Sequence, residues 1–225
     1  MILEYLGHSA YIISNNNYTL AIDPFMTANP ACHKKIEDFE KLDYILVTHG
    51  HSDHIGDTVE LARHYNSTII CNFELGHYFE KYYGLNVHTM HIGGLYDFAF
   101  GFVKMTNALH GSGIIHGGEM IYGGNPCGFV ISMDGVTIYH AGDTGLFGDM
   151  NLLQRLNIDY ALLPIGGNYT MDTSDALLAS EMIKAKNVIP MHYGTFPVID
   201  SDPNIFKDKC SSNVIILNTN AKINL

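Results

Sequence analysis

Residues 44–54 read YILVTHGHSDH, an apolar run followed at once by three histidines and an aspartate. The run contains β-branched residues, as expected for a buried strand. It ends just before His49, and Gly50 is expected to give the backbone the freedom to bend there. The segment therefore predicts a strand that delivers several metal-ligating side chains into a turn.

These side chains can address two cations. Residues two apart on an extended segment point the same way, so His49 and His51 can present their imidazoles to one ion. Asp53 and His54 begin a predicted helix and can reach a second ion. Imidazole and carboxylate ligands suit zinc, manganese or iron, so the ligand types do not fix the element. This density of ligands favours a metal site over an exposed turn without function.

Three further candidate ligands follow predicted strands elsewhere in the chain. His110 follows FAFGFVKMTNA, which is predicted to be one strand, Asp143 follows VTIYHA, and His192 ends NVIPMH. Turns at strand ends project side chains into a common cleft while the sheet fixes their positions. We therefore expect the three residues to complete the site, with the two oxygens of Asp143 able to bridge the ions. The alternative is that they are exposed turn histidines and an aspartate that makes a local turn bond.

The composition agrees with metal chemistry and disfavours one class of partner. Thirteen histidines are many for 225 residues. The formal net charge of −11 repels phosphate polymers, so long nucleic acids are disfavoured as partners. The four cysteines include no CxxC pair and are expected to be reduced thiols.

Length and hydropathy predict a single domain over residues 1–225 with a substantial core. No run approaches the roughly 20 apolar residues that a membrane span requires. The first residues, MILEYLGHSAYII, lack the features of a signal peptide. We therefore expect a soluble, cytoplasmic protein with no membrane partner.

Predicted strands and helices are mixed throughout the chain. Asp134-Gly135 separates two apolar runs and is a strong signal for a β-hairpin. Helices are predicted in ELGHYFEKYYG, closed by Gly84, and in DALLASEMIKAK, capped by the side chains of Asp172-Thr173-Ser174. SNVIIL is predicted to be the closing strand. The mixture predicts sheets covered by helices, an α/β (α+β) class, and each half of the chain has a hairpin-rich start and a strand-helix-strand finish.

The motif THGHSDH at residues 48–54 resembles the signature of the metallo-β-lactamase superfamily. His110, Asp143 and His192 occur in the order and strand-end contexts that this family uses for its remaining ligands. A branch of small bacterial and archaeal metal-dependent hydrolases, related to the ascorbate-6-phosphate lactonases, is similar to LGHSAY, AIDPF, NPCGF, HAGDTG, PIGGNYTMD and IPMHYGTFP. The resemblance spans essentially the whole chain and implies a four-layer αββα sandwich with the site at one edge of the paired sheets.

By matched position, the resemblance implies two divalent metal ions, with zinc preferred and manganese or iron as alternatives. The implied ligands are His49, His51 and His110 for one ion, Asp53, His54 and His192 for the other, and Asp143 between them. Asp143 stands where many antibiotic-degrading relatives carry a cysteine, which argues against a dedicated β-lactamase. Thioester and transfer-RNA substrates lose support, because neither a glyoxalase II type of helical domain nor an obvious RNA-binding insertion is present.

The implied mechanism is attack by water. Two cations roughly 3.5–4 Å apart lower the pKa of a bridging water toward about 7 and polarise the scissile carbonyl or phosphoryl oxygen. The first hypothesis is a hydrolase of a small ester, lactone or phosphoester, in which Asp53 also orients the attacking hydroxide. The alternatives are a phosphodiesterase or nuclease, or a non-hydrolytic iron redox or ligand-binding protein on the same fold.

Two more residues are candidates for a catalytic role. His8 lies in the turn between the first two strands, which in the resembling branch lies near the site; the alternative is a surface histidine. Asn168, together with Thr195, is a candidate substrate or oxyanion contact. Exposed apolar strands in related architectures often meet in symmetric assemblies, so a homo-oligomer is also considered.

Other segments are expected to support the site. Asp23 is a candidate for orienting a ligand histidine or, alternatively, a simple turn residue before Pro24. His140 is either a hydrogen-bond partner of a ligand or a buried strand histidine. The glycine-rich stretch Gly111–Gly124, which contains His116, is predicted to be a mobile loop over the cleft rather than an ordinary connection.

Overall fold

The computed structural model describes residues 1–225. Its strands are β1 (Ile2–Gly7), β2 (Ala10–Ser14), β3 (Thr19–Ile22), β4 (Tyr44–Leu46), β5 (Thr68–Asn72), β6 (Val87–Met90), β7 (Leu95–Phe98), β8 (Gly101–Asn107), β9 (Gly113–His116), β10 (Glu119–Tyr122), β11 (Cys127–Met133), β12 (Val136–His140), β13 (Tyr160–Pro164), β14 (Asn187–Met191), β15 (Asn213–Val214) and β16 (Lys222–Asn224). Its α-helices are α1 (Ser52–Ile55), α2 (Thr58–Tyr65), α3 (Phe73–Tyr83), α4 (Thr173–Ile183) and α5 (Pro203–Lys209), and 3₁₀ helices occupy Ile36–Asp38, Gly148–Leu156 and Pro197–Ile199. None of the helices has the length and apolar character needed to cross a bilayer.

The chain forms two compact units. Unit 1 comprises Met1–Gly94, Gly111–Pro126 and Asn218–Leu225, and unit 2 comprises Leu95–His110 and Cys127–Leu217. Each unit contains one seven-stranded sheet, and unit 1 also contains the hairpin β9–β10. The interpretation of residues 1–225 as a single domain stays a prediction.

The sheet of unit 1 has the order β16-β1-β2-β3-β4-β5-β6. Its first four strands are antiparallel, and β3 to β6 are parallel. A row of small and branched side chains, Ile12, Ala21, Ile45 and Ile69, crosses four strands and belongs to the core that α2 and α3 cover. Burying each large member of this row stabilises the fold by about 1.5–3 kcal/mol.

The sheet of unit 2 has the order β15-β14-β13-β12-β11-β8-β7 and, like the other sheet, has an antiparallel part and a parallel part. Strands β7, β8, β11 and β12 are antiparallel, whereas β12 to β15 are parallel. Helix α4 packs on β13 through a buried face that includes Ala176, Ala179 and Ile183. Both units therefore start with antiparallel strands and finish with parallel strands joined by helices, which confirms the two-half pattern.

Several predicted elements are confirmed in detail. Asn72 caps α3 through a hydrogen bond from the backbone N–H of Leu75, and Gly84 ends this helix in the left-handed conformation. Asp172 caps α4 in the same way. Asp134 and Gly135, at φ +52° and +81°, form the tight turn between β11 and β12.

One prediction of local structure was wrong, and one strand is shorter than predicted. FAFGFVKMTNA is not one strand, because a turn at 99–100 separates β7 from β8, and the buried Phe100 keeps the sequence pattern apolar across this turn. SNVIIL closes the sheet of unit 2 beside β14 as predicted, but only Asn213–Val214 form a strand, and β16 closes the sheet of unit 1 beside β1. The stretch from Gly111 to Gly124 contains the hairpin β9–β10, and its mobility over the cleft stays a prediction.

Candidate metal centre

Asp23 organises the histidine-rich turn in unit 1. It follows β3 directly, is fully buried and has a positive φ of +44°. Its Oδ1 accepts a hydrogen bond from the backbone N–H of Thr48 at 2.8 Å, and its Oδ2 accepts from Thr48 Oγ1 and His54 Nδ1, both at 2.7 Å. A carboxylate can accept all three bonds, so Asp23 fixes the start of the turn and one imidazole beyond it.

These bonds determine which imidazole nitrogens can bind a cation. The carboxylate of Asp23 is only an acceptor, so His54 carries its proton on Nδ1 and has a lone pair on Nε2. Thr48 has one hydroxyl proton, which it donates to Asp23, so its oxygen accepts the 2.9 Å bond from Nδ1 of His49. His49 therefore also carries its lone pair on Nε2. Fixing the tautomer through the opposite ring nitrogen is how proteins prepare histidine as a metal ligand.

His51 lies beside His49 on the same turn. Their rings cross at 80°, and Nε2 of His49 is 3.0 Å from Nδ1 of His51. Two nitrogens bound to one tetrahedral zinc ion at about 2.0–2.1 Å are roughly 3.3 Å apart. The observed spacing therefore suits two ligands of one ion.

Gly50 separates the two histidines for a steric reason. A Cβ atom there would lie 2.7 Å from both the carbonyl oxygen of Ser112 and Cγ1 of Ile114, at the base of the hairpin β9–β10. The backbone N–H of Gly50 donates to Ser112 Oγ, and this hydroxyl donates to the carbonyl oxygen of Gly123, each at 3.0 Å. Gly50 lies at a bend, as predicted, and its lack of a Cβ atom also permits the close approach that joins the histidine-rich turn to the hairpin.

His8 and Asp53 form a second group in unit 1, next to His54. Nε2 of His8 is 3.1 Å from Oδ2 of Asp53, and the ligand atoms of His8, Asp53 and His54 lie within 4.8 Å of one another. His8 is buried, has a φ of +58° and packs edge-on against Phe25 and His54. The turn histidine is therefore not a surface residue.

Asp143 is the centre of the candidate ligands in unit 2. Its Oδ2 lies 2.9 Å from Nε2 of His192 and 3.5 Å from Nε2 of His110, and it is 2% exposed. The backbone N–H of Leu109 donates to Thr144 Oγ1, and Gly145 donates to the carbonyl oxygen of Leu109. These bonds hold the turn after β8 against the turn after β12, which places His110 beside Asp143.

The donor sets of both units fit divalent cations. The separations of 2.9 to 3.5 Å between candidate ligand atoms bracket the spacing expected around one zinc ion. All of the donors are imidazole nitrogens or carboxylate oxygens, which zinc, manganese and iron accept. Direct hydrogen bonds at the same distances can hold these side chains together in the absence of metal.

The remaining candidates lie in different environments. His140 is fully buried, and its Nδ1 accepts a hydrogen bond from the backbone N–H of Gly142, so it shapes the turn that presents Asp143. Asn168 is exposed at the loop after β13, with φ +54°, and Thr195 is half-buried. Nδ1 of His116 lies 3.2 Å from the hydroxyl of Tyr78 on α3, which attaches the hairpin tip to that helix.

A family model described as a β-lactamase superfamily domain matches residues 18–193. The chain is 52% identical to a UPF0173 metal-dependent hydrolase of Geobacillus sp. (strain WCH70) over 92% of its length and 91% of the relative's. A second protein of that name, from Desulforamulus reducens (strain ATCC BAA-1160 / DSM 100696 / MI-1), is also 52% identical, over 92% of this chain and 90% of the relative.

A similar solved structure is Igni18, a metallo hydrolase from the hyperthermophilic archaeon Ignicoccus hospitalis KIN4/I. It is 36% identical, with a TM-score of 0.88 over 99% of this chain and 97% of the other. The predicted relation to ascorbate-6-phosphate lactonases stays a prediction, whereas the predicted α/β fold of the metallo-β-lactamase type is confirmed. The chain belongs to the metallo-β-lactamase superfamily and is one of its metal-dependent hydrolases.

Proposed function

We propose that the chain is a dinuclear metal hydrolase. The proposed ligands are His49, His51 and His110 for one ion, Asp53, His54 and His192 for the other, and Asp143 between them. The observation that carries the proposal is the hydrogen bonding of Asp23 and Thr48, which leaves His54 and His49 with lone pairs on Nε2. The family match supports it, because residues 18–193 include all seven side chains.

Zinc is the first choice, with manganese or iron as alternatives. Two such ions activate water and polarise the scissile carbonyl or phosphoryl oxygen. Asp53 can orient the attacking water through its carboxylate, which is 28% exposed, whereas the side chain of His8 is fully buried. His8 donates from Nε2 to Asp53 Oδ2, which keeps that oxygen in place and holds a proton beside the reaction.

The proposed substrate is a small ester, lactone or phosphoester. The net charge of −11 supports a small molecule rather than a long nucleic acid. Asn168 is proposed as a substrate contact on the loop after β13. The alternatives are a phosphodiesterase or nuclease, which would use the same ligands on a phosphodiester, and an iron redox or ligand-binding protein. Cytoplasmic location and a homo-oligomer stay predictions.

A hydrolysis screen tests this function. Wild type, the double variant Asp53→Ala/His54→Ala and the control His77→Ala would be loaded with zinc, manganese or iron and offered esters, lactones and phosphodiesters. His77 is an exposed histidine of α3, so its loss should not change turnover. We expect turnover of one class by wild type and control and a loss of at least about 100-fold in the double variant. Equal turnover by the double variant would refute the proposed site.

A further inference from the structure

A cleft of about 280 Å³ in unit 1 borders the histidine-rich turn. Gly50 and Ser52, which flank His51, line one side of it, and Ile114 and Ile115 of the hairpin line another. Its volume is near the lower end of the range for small-molecule sites, roughly 300–1,000 Å³, so it suits a ligand of about ten non-hydrogen atoms. None of the proposed metal ligands lines it.

The cleft contains a positive charge without an acidic partner. Arg63, one of two arginines in a chain with net charge −11, lines the wall formed by α2. Its guanidinium lies over the ring of Tyr83, 5.5 Å from the centroid, and none of the ion pairs in the structure includes it. Glu60 also lines the cleft but does not pair with Arg63. A planar guanidinium supported on a ring is well suited to bind a carboxylate or phosphate.

Two tyrosines of α3 add hydroxyl groups to the lining of the cleft. The hydroxyls of Tyr78 and Tyr83 are 3.2 Å apart, and both residues line the cleft. Burial, reinforced by the hydrogen bond with Tyr83, raises the pKa of Tyr78, so this hydroxyl stays protonated at neutral pH. Ile55, Val59 and the hairpin isoleucines add apolar surface to the cleft.

We propose that this cleft binds a small organic acid, with its carboxylate or phosphate on Arg63 and its apolar part against the isoleucines. Because Gly50 and Ser52 line the cleft, the bound acid contacts the backbone that carries His51. The acid is either a part of the substrate or a separate effector. If the acid inhibits competitively against an identified substrate, it is part of the substrate. If it inhibits in a mixed manner, it is a separate effector.

Benzoate, a flat acid of suitable size, and benzamide, its neutral analogue, are the probes for a nuclear magnetic resonance titration of the metal-loaded protein. We expect benzoate to bind with a dissociation constant on the order of 1 mM and to shift the amide signals of Gly50 and Ile115. Arg63→Gln should weaken binding at least about tenfold, and Glu60→Gln should strengthen it about twofold. The control Arg155→Gln, at an exposed position in unit 2, should bind as wild type does.

The proposal is overturned if benzamide binds as tightly as benzoate or if Arg63→Gln binds benzoate as tightly as wild type does. It is also overturned if the titration shows no saturation even at benzoate concentrations well above about 10 mM. Binding that disappears after chelation of the metals but survives in Arg63→Gln would place the acid at the metal centre and also refute the cleft. None of the proposed metal ligands lines the cleft. Arg63→Gln should therefore weaken benzoate binding even if the proposal of a dinuclear metal site proves wrong.

Discussion

Asp23→Asn should lower the metal affinity of the centre by about 10- to 100-fold, or roughly 1.4–2.7 kcal/mol. The carboxylate accepts three hydrogen bonds, from Thr48 N, Thr48 Oγ1 and His54 Nδ1. An amide has one acceptor oxygen, so with this oxygen on Thr48 N its NH₂ group faces the ring of His54. His54 must then accept at Nδ1 and carry its proton on Nε2, where the metal would bind.

The same substitution should reduce the free energy of unfolding by about 1–3 kcal/mol, because buried donors lose a charged acceptor. Asp57→Asn is the matched control for this effect. Asp57 is also buried and accepts bonds from the backbone N–H groups of Met26 and Thr27 and from the Thr27 hydroxyl, but from no histidine. Asp57→Asn should therefore lose a similar amount of free energy of unfolding while keeping the metal affinity of wild type.

Chelator competition followed by elemental analysis would give the metal affinities, and urea unfolding of the metal-free proteins would give the stabilities. Wild-type affinity in Asp23→Asn, together with a loss of stability equal to that of Asp57→Asn, would refute the tautomer argument. Asp23 would then be a structural carboxylate only.

Three other substitutions test single contacts. Gly50→Ala should destabilise the protein by about 1–3 kcal/mol in urea unfolding, because the new Cβ atom would lie 2.7 Å from atoms of the hairpin. Gly148→Ala is the control and should be neutral, because a Cβ atom there has no neighbour within 4 Å. Ser112→Ala should cost about 1–3 kcal/mol by removing the acceptor of the Gly50 N–H, and an unchanged unfolding midpoint would contradict this. Burial alone would raise the pKa of Asp159, but hydrogen bonds from the Lys186 ammonium and a backbone N–H lower this pKa overall. The contribution of Asp159 to the free energy of unfolding is therefore present above about pH 4 and is lost as the pH falls through the folded-state pKa. Asp159→Asn should therefore be less stable than wild type at pH 7 but equally stable near pH 2, and a constant difference at both pH values would be inconsistent with this linkage.

Local patterns in the sequence predicted the elements that local chemistry determines. Helix α3 ends at a left-handed glycine, Gly84, and the turn at Asp134-Gly135 needs only residues that tolerate positive φ. The histidine-rich turn follows β4 as predicted because the buried strand has a continuous apolar run. His192 follows β14 directly for the same reason.

Contacts between distant residues could not be predicted in this way. Asp23 is 31 residues from His54, and Ser112 is 62 residues from Gly50, so no local period connects them. The sequence offered only the strand-end position of Asp23 as a signal, and nothing singled out Ser112. Strands β7 and β8 were merged because Phe100 in their turn is buried and therefore looks like a strand residue.

The most direct test of the dinuclear centre is the metal content of the purified protein, measured by elemental mass spectrometry. The protein would first be saturated with zinc and then freed of unbound metal. We predict two ions per chain in wild type and in His77→Ala, and no more than one in Asp53→Ala/His54→Ala. An unchanged metal content in the double variant, or fewer than two ions in saturated wild type, would contradict the proposed centre.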